Sequence, residues 1–370
     1  MGPREQWHRL RARLVGSARF RAWAATFPLT RPIARRRARE VFDLCAGFVY
    51  SQVLYACVKL DLFAMLAERA QTLPVLARRL KMSEEAAARL LAAAASLRLA
   101  ARDGDGRYSL GELGAAIAGN AAVLAMVAHH DLLYTDLRDP VALLRGRTDA
   151  TLLARYWAYA GHERPSGLAP EQVAAYSALM AASQSLVADE VLAAYDFGRH
   201  RRLLDVGGGD GAFLAAVGAR VPTLELCLFD LPPVAERARE RLAGAGYADR
   251  VTCLGGDFHR DPLPGGADVA SLVRVLHDHD DTEALALLGA VRRALPAGAV
   301  LLVAEPMAGV RDAEPMGAAY FGFYLWAMGR GRPRSYGENA SLLHAAGFAA
   351  ITPIPTRMPL QTGLVAARVP

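Results

Sequence analysis

The chain has 370 residues, of which 53% are hydrophobic and 22% are charged, a balance typical of a folded globular protein with two or three domains. No uninterrupted apolar run reaches membrane-spanning length, and the arginine-rich N-terminus lacks the apolar segment of a signal peptide. The cysteines lie in apolar surroundings without ligand-like spacing, so we expect all of them to be reduced core residues of a cytoplasmic protein. They are Cys45, Cys57, Cys227 and Cys253.

Positive charge is concentrated in an N-terminal arm, residues 1–40. The arm holds eleven arginines against two glutamates, a net charge of +9, whereas the whole chain carries +6 and residues 41–370 therefore −3. Tryptophan, phenylalanine and leucine alternate with the arginines, which is typical of a basic amphipathic helix on an anionic surface such as a membrane or a nucleic acid. The alternative is an arm whose aromatic side chains pack on a partner subunit.

Residues 41–119 have an alanine-rich helical pattern. The run "FDLCAGFVYSQVLYACVKLDLFAMLAE" predicts a long buried helix that continues into a second one. Helices over 73–80 and 84–97, the latter capped by Ser83, precede a hairpin around "RDGDGR", which is a winged-helix-like order. The second helix begins with two glutamates, and only its Arg89 could contact the edge of a DNA base. Dimer packing is therefore favoured over DNA binding.

Residues 120–196 are predicted to form a helical bridge, and residues 197–370 an α/β domain. From about residue 201, apolar strand-like runs alternate with helical segments. Alternation of this kind predicts a doubly wound parallel sheet with helical crossovers, a Rossmann-like domain.

A glycine-rich turn follows the first of these strands. In "LLDVGGGDGAFLAAV", Gly207, Gly209 and Ala212 have G-x-G-x-x-A spacing, which suits NAD and other nucleotide-like cofactors. Asp230 lies 21 positions after Gly209 at the end of the second strand, where a carboxylate can bind ribose hydroxyls.

Two further features favour S-adenosylmethionine over NAD. Asp205 lies at the end of the first strand, where NAD-binding strands usually stay apolar. After a third strand, Gly256, Asp257 and Phe258 provide a carboxylate for an exocyclic amine and an aromatic ring to cover an adenine face.

The segment "RVLHDHDD", residues 274–281, holds two histidines and three aspartates. It could be a metal site, a solvated loop or the location of a general base. Consecutive side chains on a loop rarely converge on one ion, so a metal site is the least favoured of the three. Asp280 and Asp281 are expected to cap the following helix.

These motifs, in order, resemble the S-adenosylmethionine-dependent small-molecule O-methyltransferases of the caffeate and acetylserotonin type. The resemblance is carried by "DVGGGDG", "FDLPPV", "GDFHRDPLP", "RVLHDHDD", "AEPM", "RPRS" and "LLHAAGF". The front of the chain, "RFRAWAATFPLTRPIARRRARE" with "FDLCAGFVYSQVL", further resembles the carotenoid 1-hydroxyl O-methyltransferases of purple bacteria. The resemblance implies a homodimer with a dimerisation domain, S-adenosylmethionine as cofactor and no metal.

The resemblance also assigns roles at the reaction centre. It implies that His277 is the general base, that Glu305 orients its ring and that Arg274 contacts the cofactor. In the family a second acid flanks the base, but Pro333 stands at that position here, which puts the two-acid arrangement in doubt. His279 replaces the usual tryptophan.

The acceptor side is implied by the same resemblance. Tyr324 and Met328, in "AAYFGFYLWAMGRG", and Tyr176 and Met180, in "AAYSALM", are expected to line the substrate pocket. Their apolar character suits a lipid-like acceptor such as a hydroxylated acyclic carotenoid. For such an acceptor we expect peripheral membrane contact through residues 1–40. The alternatives are another apolar or aromatic natural product as acceptor, or a winged-helix ligand sensor that binds DNA. A nucleic-acid methyltransferase is disfavoured because "HDHD" follows the fourth strand, and no nucleic-acid partner is expected.

Overall fold

The computed structural model describes residues 2–147, 150–157, 170–311 and 313–370, except for the side chains of residues 170–179, 181 and 182. The chain forms two compact units, Met1–Gly119 and Asn120–Pro370. The predicted arm boundary at residue 40 falls inside a helix, and the predicted bridge 120–196 belongs to the same unit as the sheet. The four-part division of the chain therefore stays a prediction.

The first unit is helical with one small hairpin. Its elements are α1 (Pro3–Gly16), α2 (Ala18–Thr26), α3 (Arg31–Lys59), α4 (Leu62–Glu68), α5 (Leu73–Arg79), α6 (Glu84–Ser96), β1 (Ala100–Arg102), β2 (Tyr108–Leu110) and α7 (Glu112–Ala118). The helix–helix–hairpin order is as predicted, and the Ser83 hydroxyl accepts a hydrogen bond from the Ala86 amide at 3.2 Å. Likeness to a winged helix remains a comparison drawn from sequence.

Helix α3 differs from its expected buried position. Within the chain only Cys57 of this helix is buried, whereas Leu44 and Phe48 are 86% and 72% exposed. Among the described residues it is the single continuous helix long and apolar enough to cross a membrane, a property that it shares with many core helices. Cys45, on the same helix, is exposed, so the prediction that all four cysteines lie in the core is wrong for this one.

The second unit contains the α/β fold. Its helical elements before the sheet are α8 (Ala121–Asp136), α9 (Pro140–Leu144), α10 (Leu152–Tyr156) and α11 (Pro170–Ala194). Strands and helices then alternate as β3 (Arg202–Val206), α12 (Ala212–Arg220), β4 (Glu225–Asp230), α13 (Pro232–Gly244), β5 (Val251–Gly255), β6 (Val269–Val273), α14 (Asp281–Ala294) and β7 (Val300–Glu305). The remaining elements are a π-helix (Met316–Phe321), α15 (Gly322–Met328), α16 (Tyr336–Ala345), β8 (Ala349–Ile354) and β9 (Gly363–Arg368).

The sheet has seven strands in the order β5-β4-β3-β6-β7-β9-β8. Strands β3 to β7 pair in parallel, which confirms the predicted doubly wound core, while β9 and β8 add an antiparallel edge that the sequence analysis did not anticipate. Apolar clusters pack on both faces of the sheet. The strand order reverses between β3 and β6, and ligands of such sheets bind beyond the carboxyl ends of the strands at this point.

Candidate active site

The glycine turn after β3 is held by the carboxylate at the end of β4. Gly207 and Gly209 have φ angles of 69° and 60°, a left-handed conformation that favours glycine. Asp230 accepts hydrogen bonds from the amides of Gly209 and Leu231, each at 2.7 Å. Burial raises the pKa of Asp230 to about 6, even though these two amides favour its charged form.

Asp205 lies beneath this turn and does not reach a cavity wall. The Ser271 hydroxyl donates to one of its carboxylate oxygens at 2.6 Å, and the other oxygen is buried without a hydrogen-bond partner. Burial raises the pKa of Asp205 to about 7. A Cβ at Gly208 would lie 2.7 Å from the unpartnered oxygen, so glycine at this position lets the turn cover the carboxylate.

A large cavity opens in front of the glycine turn. Its volume is about 1030 Å³ when its open mouth is included. It is lined by the glycine turn, the ends of β4 and β6, and the loops after β5 and β6, including Gly207, Gly208, Gly209, Asp230, Asp257, Phe258, His259, Arg274, Asp278 and His279. Gly256 does not line it. Its amide instead donates to the Asp230 carbonyl at 2.9 Å, and a Cβ there would meet the ring of Phe229.

Three rings form one wall of this cavity. Phe258 packs edge to face with His279 at a centroid distance of 5.4 Å, and His259 does the same with His279 at 5.1 Å. Burial lowers the pKa of both histidines and favours their neutral form. His259 was not singled out from the sequence, although it directly follows the predicted Asp257 and Phe258.

His277 lies behind the cavity, and β7 orients its ring. Its Nδ1 contacts one oxygen of Glu305, while the other oxygen accepts from the amides of Val275 at 3.0 Å and Leu276 at 2.7 Å. Glu305 is only 2% exposed. Its carboxylate therefore joins the backbone of Val275 and Leu276 to the imidazole of His277 inside the protein. The predicted adjacency of these two residues is therefore observed.

A second carboxylate faces the other ring nitrogen. Asp278 Oδ1 lies 3.1 Å from His277 Nε2. Burial alone would lower the pKa of His277, but Asp278 and Glu305 outweigh it and the pKa is raised. Asp278 was not singled out as a partner of His277 from the sequence, although its position next to His277 in "LHDHDD" was the available signal.

Arg334 holds the loop that carries His277. Its buried guanidinium donates to the carbonyls of Leu276 and His279 at 2.7 and 2.6 Å and to Asp281 Oδ1 at 2.9 Å. Asp280 does occupy the N-cap position of α14, but its side chain accepts from the Gly331 amide and makes no capping bond, contrary to expectation. The two aspartates therefore join the loop to the 331–334 segment.

Arg274 occupies the junction between two cavities. Its backbone is left-handed, with φ of 60°, and its guanidinium donates to the Ser183 hydroxyl at 2.6 Å. The side chain lines both the large cavity and a second one beside His277.

The second cavity, of about 560 Å³, is mostly apolar and aromatic. It is lined by Met126, His129, Trp157, Met180, Ser183, Arg274, His277, Asp278, Tyr320, Phe321, Tyr324, Leu325 and Met328. The predicted residues Met180, Tyr324 and Met328 are thus brought together next to His277. Tyr176 lies in α11, but its side chain falls outside the described residues.

Among the described residues, no group of three or more histidine, cysteine, aspartate or glutamate side chains is placed to hold a metal ion. The expectation that the reaction needs no metal stays a prediction.

Comparisons with known proteins identify the family. Residues 134–349 match the model of the O-methyltransferase domain, and residues 42–120 match that of the O-methyltransferase dimerisation domain. The chain is 48% identical over 359 residues to the demethylspheroidene O-methyltransferase of Cereibacter sphaeroides, covering 97% of this chain and 94% of the relative. The enzyme of the same name from Rhodobacter capsulatus is 39% identical over 96% of this chain and 88% of its own length.

A solved structure is also similar. CalO1, a methyltransferase of calicheamicin biosynthesis crystallised with SAH, has a TM-score of 0.74 and 25% identity, covering 90% of this chain and 98% of that one. None of these matches favours a DNA-binding sensor. The matched dimerisation domain indicates a homodimer.

The large cavity fits S-adenosylmethionine. Its glycine turn admits close approach of a ligand, Asp230 lies where ribose hydroxyls are bound in such folds, and the rings of Phe258 and His279 offer an apolar wall for a base. The cofactor predicted from sequence is therefore supported by both the site and the family. The chain belongs to the O-methyltransferase family and is an S-adenosylmethionine-dependent O-methyltransferase.

Proposed function

We propose that the enzyme methylates the tertiary hydroxyl of an acyclic carotenoid, as a step of spheroidene biosynthesis. The observation that carries this proposal is the similarity to the demethylspheroidene enzymes along nearly the whole chain, at 48% identity. The apolar cavity beside His277 supports it, because a hydrocarbon chain needs a wall with few unpaired polar groups.

His277 is the proposed general base. S-adenosylmethionine, when bound, supplies a methyl group on a positively charged sulfur that is already activated for transfer. The protein then has to orient the acceptor and remove one proton, so His277 Nε2 takes the hydroxyl proton as the acceptor oxygen is methylated. Glu305 keeps the Nδ1 proton in place and leaves Nε2 as the accepting atom.

Asp278 is proposed to act as the second acid of the base, in place of the carboxylate that Pro333 does not provide. At 3.1 Å from Nε2, an ionised Asp278 pairs with a protonated ring and stabilises the imidazolium that forms when the acceptor proton is taken. The acceptor hydroxyl has to approach Nε2 alongside Asp278, so this carboxylate also limits where the oxygen binds.

The cofactor contacts are proposed for residues on the large cavity wall. Asp230 would bind the ribose, Asp257 and Phe258 the adenine, and Arg274 the end of the cofactor nearest the second cavity. Gly207 and Gly209 allow close approach of the backbone. Asp205 and Gly256, which do not line the cavity, are proposed to support the turn and Asp230 from behind.

The acceptor is proposed to lie along Met180, Tyr324 and Met328, with Tyr176 retained as a predicted contact. These three described side chains lie in one cavity with the base. Methionine side chains adapt to irregular apolar ligands, which suits a long isoprenoid chain.

We also propose that the arm attaches the enzyme to the cytoplasmic face of the inner membrane. Trp7 on α1, Trp23 on α2 and Phe27 directly after α2 are exposed among arginines, a pattern typical of interfacial helices. The supporting circumstance is that a carotenoid acceptor resides in the bilayer. The alternative, that these aromatic side chains pack against a partner subunit, is an outcome of the truncation test described below.

The function is tested by incubating the enzyme with S-adenosylmethionine and pigment extracts or purified 1-hydroxylated acyclic carotenoids, followed by mass spectrometry. We expect a product heavier by one methylene unit that contains a methoxy group. Methylation of other apolar or aromatic alcohols, with none of the carotenoid, would refute the acceptor while leaving the family assignment intact.

A further inference from the structure

Two consecutive histidines of α8 contact the tyrosines of the acceptor cavity. His129 Nε2 lies 2.7 Å from the Tyr324 hydroxyl, and His130 Nε2 lies 2.9 Å from the Tyr320 hydroxyl. Both tyrosines line the cavity beside His277. These contacts join helix α8 to the segment that forms the cavity wall, and neither histidine has a role in the function proposed above.

The direction of the hydrogen bonds at Tyr324 is determined by chemistry. The indole Nε1 of Trp157 is a donor only, and it donates to the Tyr324 oxygen at 2.8 Å. The Tyr324 hydroxyl donates its own proton to His129 Nε2 when the ring carries its proton on Nδ1, the tautomer that places no second donor against the tyrosine oxygen. Burial lowers the pKa of His129 to about 4, so the ring is neutral and able to accept at physiological pH.

The Tyr324 hydroxyl thus has both a donor and an acceptor within the protein, without any ligand. Tyr324 is 8% exposed and Trp157 is 4% exposed, so this three-residue chain is nearly removed from water. A buried polar group with its hydrogen bonds made adds little penalty when a hydrocarbon replaces water next to it, whereas an unpaired hydroxyl adds a large one.

We propose that the His129–Tyr324–Trp157 chain is a specificity determinant. It satisfies the hydrogen bonds of the tyrosine hydroxyl, so that the wall formed by Tyr324 presents an apolar surface to the acceptor. This inference rests on the proposed function, because it explains how a wall containing tyrosines accepts a hydrocarbon. His129 acts through Tyr324 and is a positioning residue, since it keeps the hydroxyl turned away from the acceptor.

The test compares three variants with a 1-hydroxylated acyclic carotenoid in detergent. His129→Leu removes the acceptor and leaves the tyrosine proton unpaired, so the KM for the carotenoid should rise roughly 5- to 100-fold. His129→Gln, whose amide oxygen can reach the place of Nε2, should recover most of this loss. The triple variant His129→Leu, Tyr324→Phe and Trp157→Phe should also recover it, because neither an unpaired hydroxyl nor an unpaired indole N–H is left.

Controls separate this effect from unfolding and from damage to the base. The KM for S-adenosylmethionine and the thermal midpoint are measured for each variant, and His344→Leu, an exposed position on α16, should match the wild type. A carotenoid KM unchanged in His129→Leu, or no recovery in the triple variant, would overturn the inference. Absence of carotenoid turnover by the wild type would instead overturn the proposed function, and the inference with it.

Discussion

The role of Glu305 can be tested by two substitutions, Glu305→Ala and Glu305→Gln. The glutamine variant should be the more stable of the two without being the more active. Glu305→Ala removes the acceptor of three donors at once: the amides of Val275 and Leu276 and the Nδ1 of His277. Glu305→Gln keeps an amide oxygen for the two backbone amides. Its amide nitrogen then faces Nδ1 and donates to it, so the imidazole proton has to move to Nε2.

The two substitutions should therefore differ in magnitude as well as in kind. A buried donor left unpaired costs about 1–3 kcal/mol, so Glu305→Ala should lose about 3 kcal/mol or more of unfolding free energy, and Glu305→Gln clearly less. In the glutamine variant, Nε2 carries a proton that it donates to Asp278, so it cannot accept the proton of the acceptor. Turnover should fall by about two to four decades, the usual contribution of a general base, equivalent to about 2.7–5.4 kcal/mol of activation free energy.

The assays are denaturant unfolding and single-turnover methylation at saturating S-adenosylmethionine, with His277→Ala as the reference for complete loss of the base. We expect Glu305→Gln to be the more stable variant and yet no more active than Glu305→Ala. If the glutamine variant retains turnover within a few-fold of wild type, the carboxylate does not determine the tautomer, and the assignment of Nε2 as the accepting atom is wrong.

Three further predictions concern the base, the cofactor and the arm. His277 has a raised pKa and must be deprotonated to act, so kcat/KM should rise with pH through a midpoint above the ordinary histidine value. Asp278→Asn should move that midpoint to lower pH, and an unmoved midpoint would show that Asp278 does not act on His277. Asp230→Ala should weaken S-adenosylmethionine binding by about 1–3 kcal/mol in calorimetry, and saturable binding of NAD would contradict the cofactor site. Deletion of residues 1–30 removes six of the arm's eleven arginines and both of its tryptophans. Each basic residue near an anionic surface contributes about 1 kcal/mol of binding free energy, so the truncated enzyme should no longer float with anionic vesicles. It should still methylate a detergent-solubilised acceptor. Equal flotation of the full-length and truncated enzymes would identify the arm as a packing segment.

The α/β core could be predicted because its signals are local. The strands β3, β4, β6 and β7 are short apolar runs followed by helices, and the glycine turn has its own spacing. The antiparallel strands β8 and β9 were missed because their residues alternate weakly and because β9 pairs with β7, about sixty residues earlier in the chain. The exposure of α3 could not be predicted either, since an apolar helix has the same sequence pattern whether its own chain or a partner covers it.

The reaction centre was predicted only where resemblance supplied it. His277 and Glu305 are 28 residues apart, yet they meet because β6 and β7 are neighbours in the sheet. His129 and Trp157 carry no such signal. His129, on α8, and Trp157, directly after α10, are 195 and 167 residues away from Tyr324 in the chain. Contacts of this kind depend on how helices pack over the strand ends, and no motif encodes them.

The 331–334 segment supports the loop of His277, although Pro333 stands where the resemblance implies an acid. Here the segment supports the base through its backbone and through Arg334: the Arg332 amide donates to the His277 carbonyl at 2.9 Å, and the guanidinium of Arg334 holds the carbonyls on either side of the base. Gly331 has φ of 79°, and a Cβ there would lie 2.2 Å from the same His277 carbonyl, so only glycine allows this approach. With the loop held from outside in this way, Asp278 is kept next to Nε2, and a carboxylate at position 333 is not needed to flank the ring.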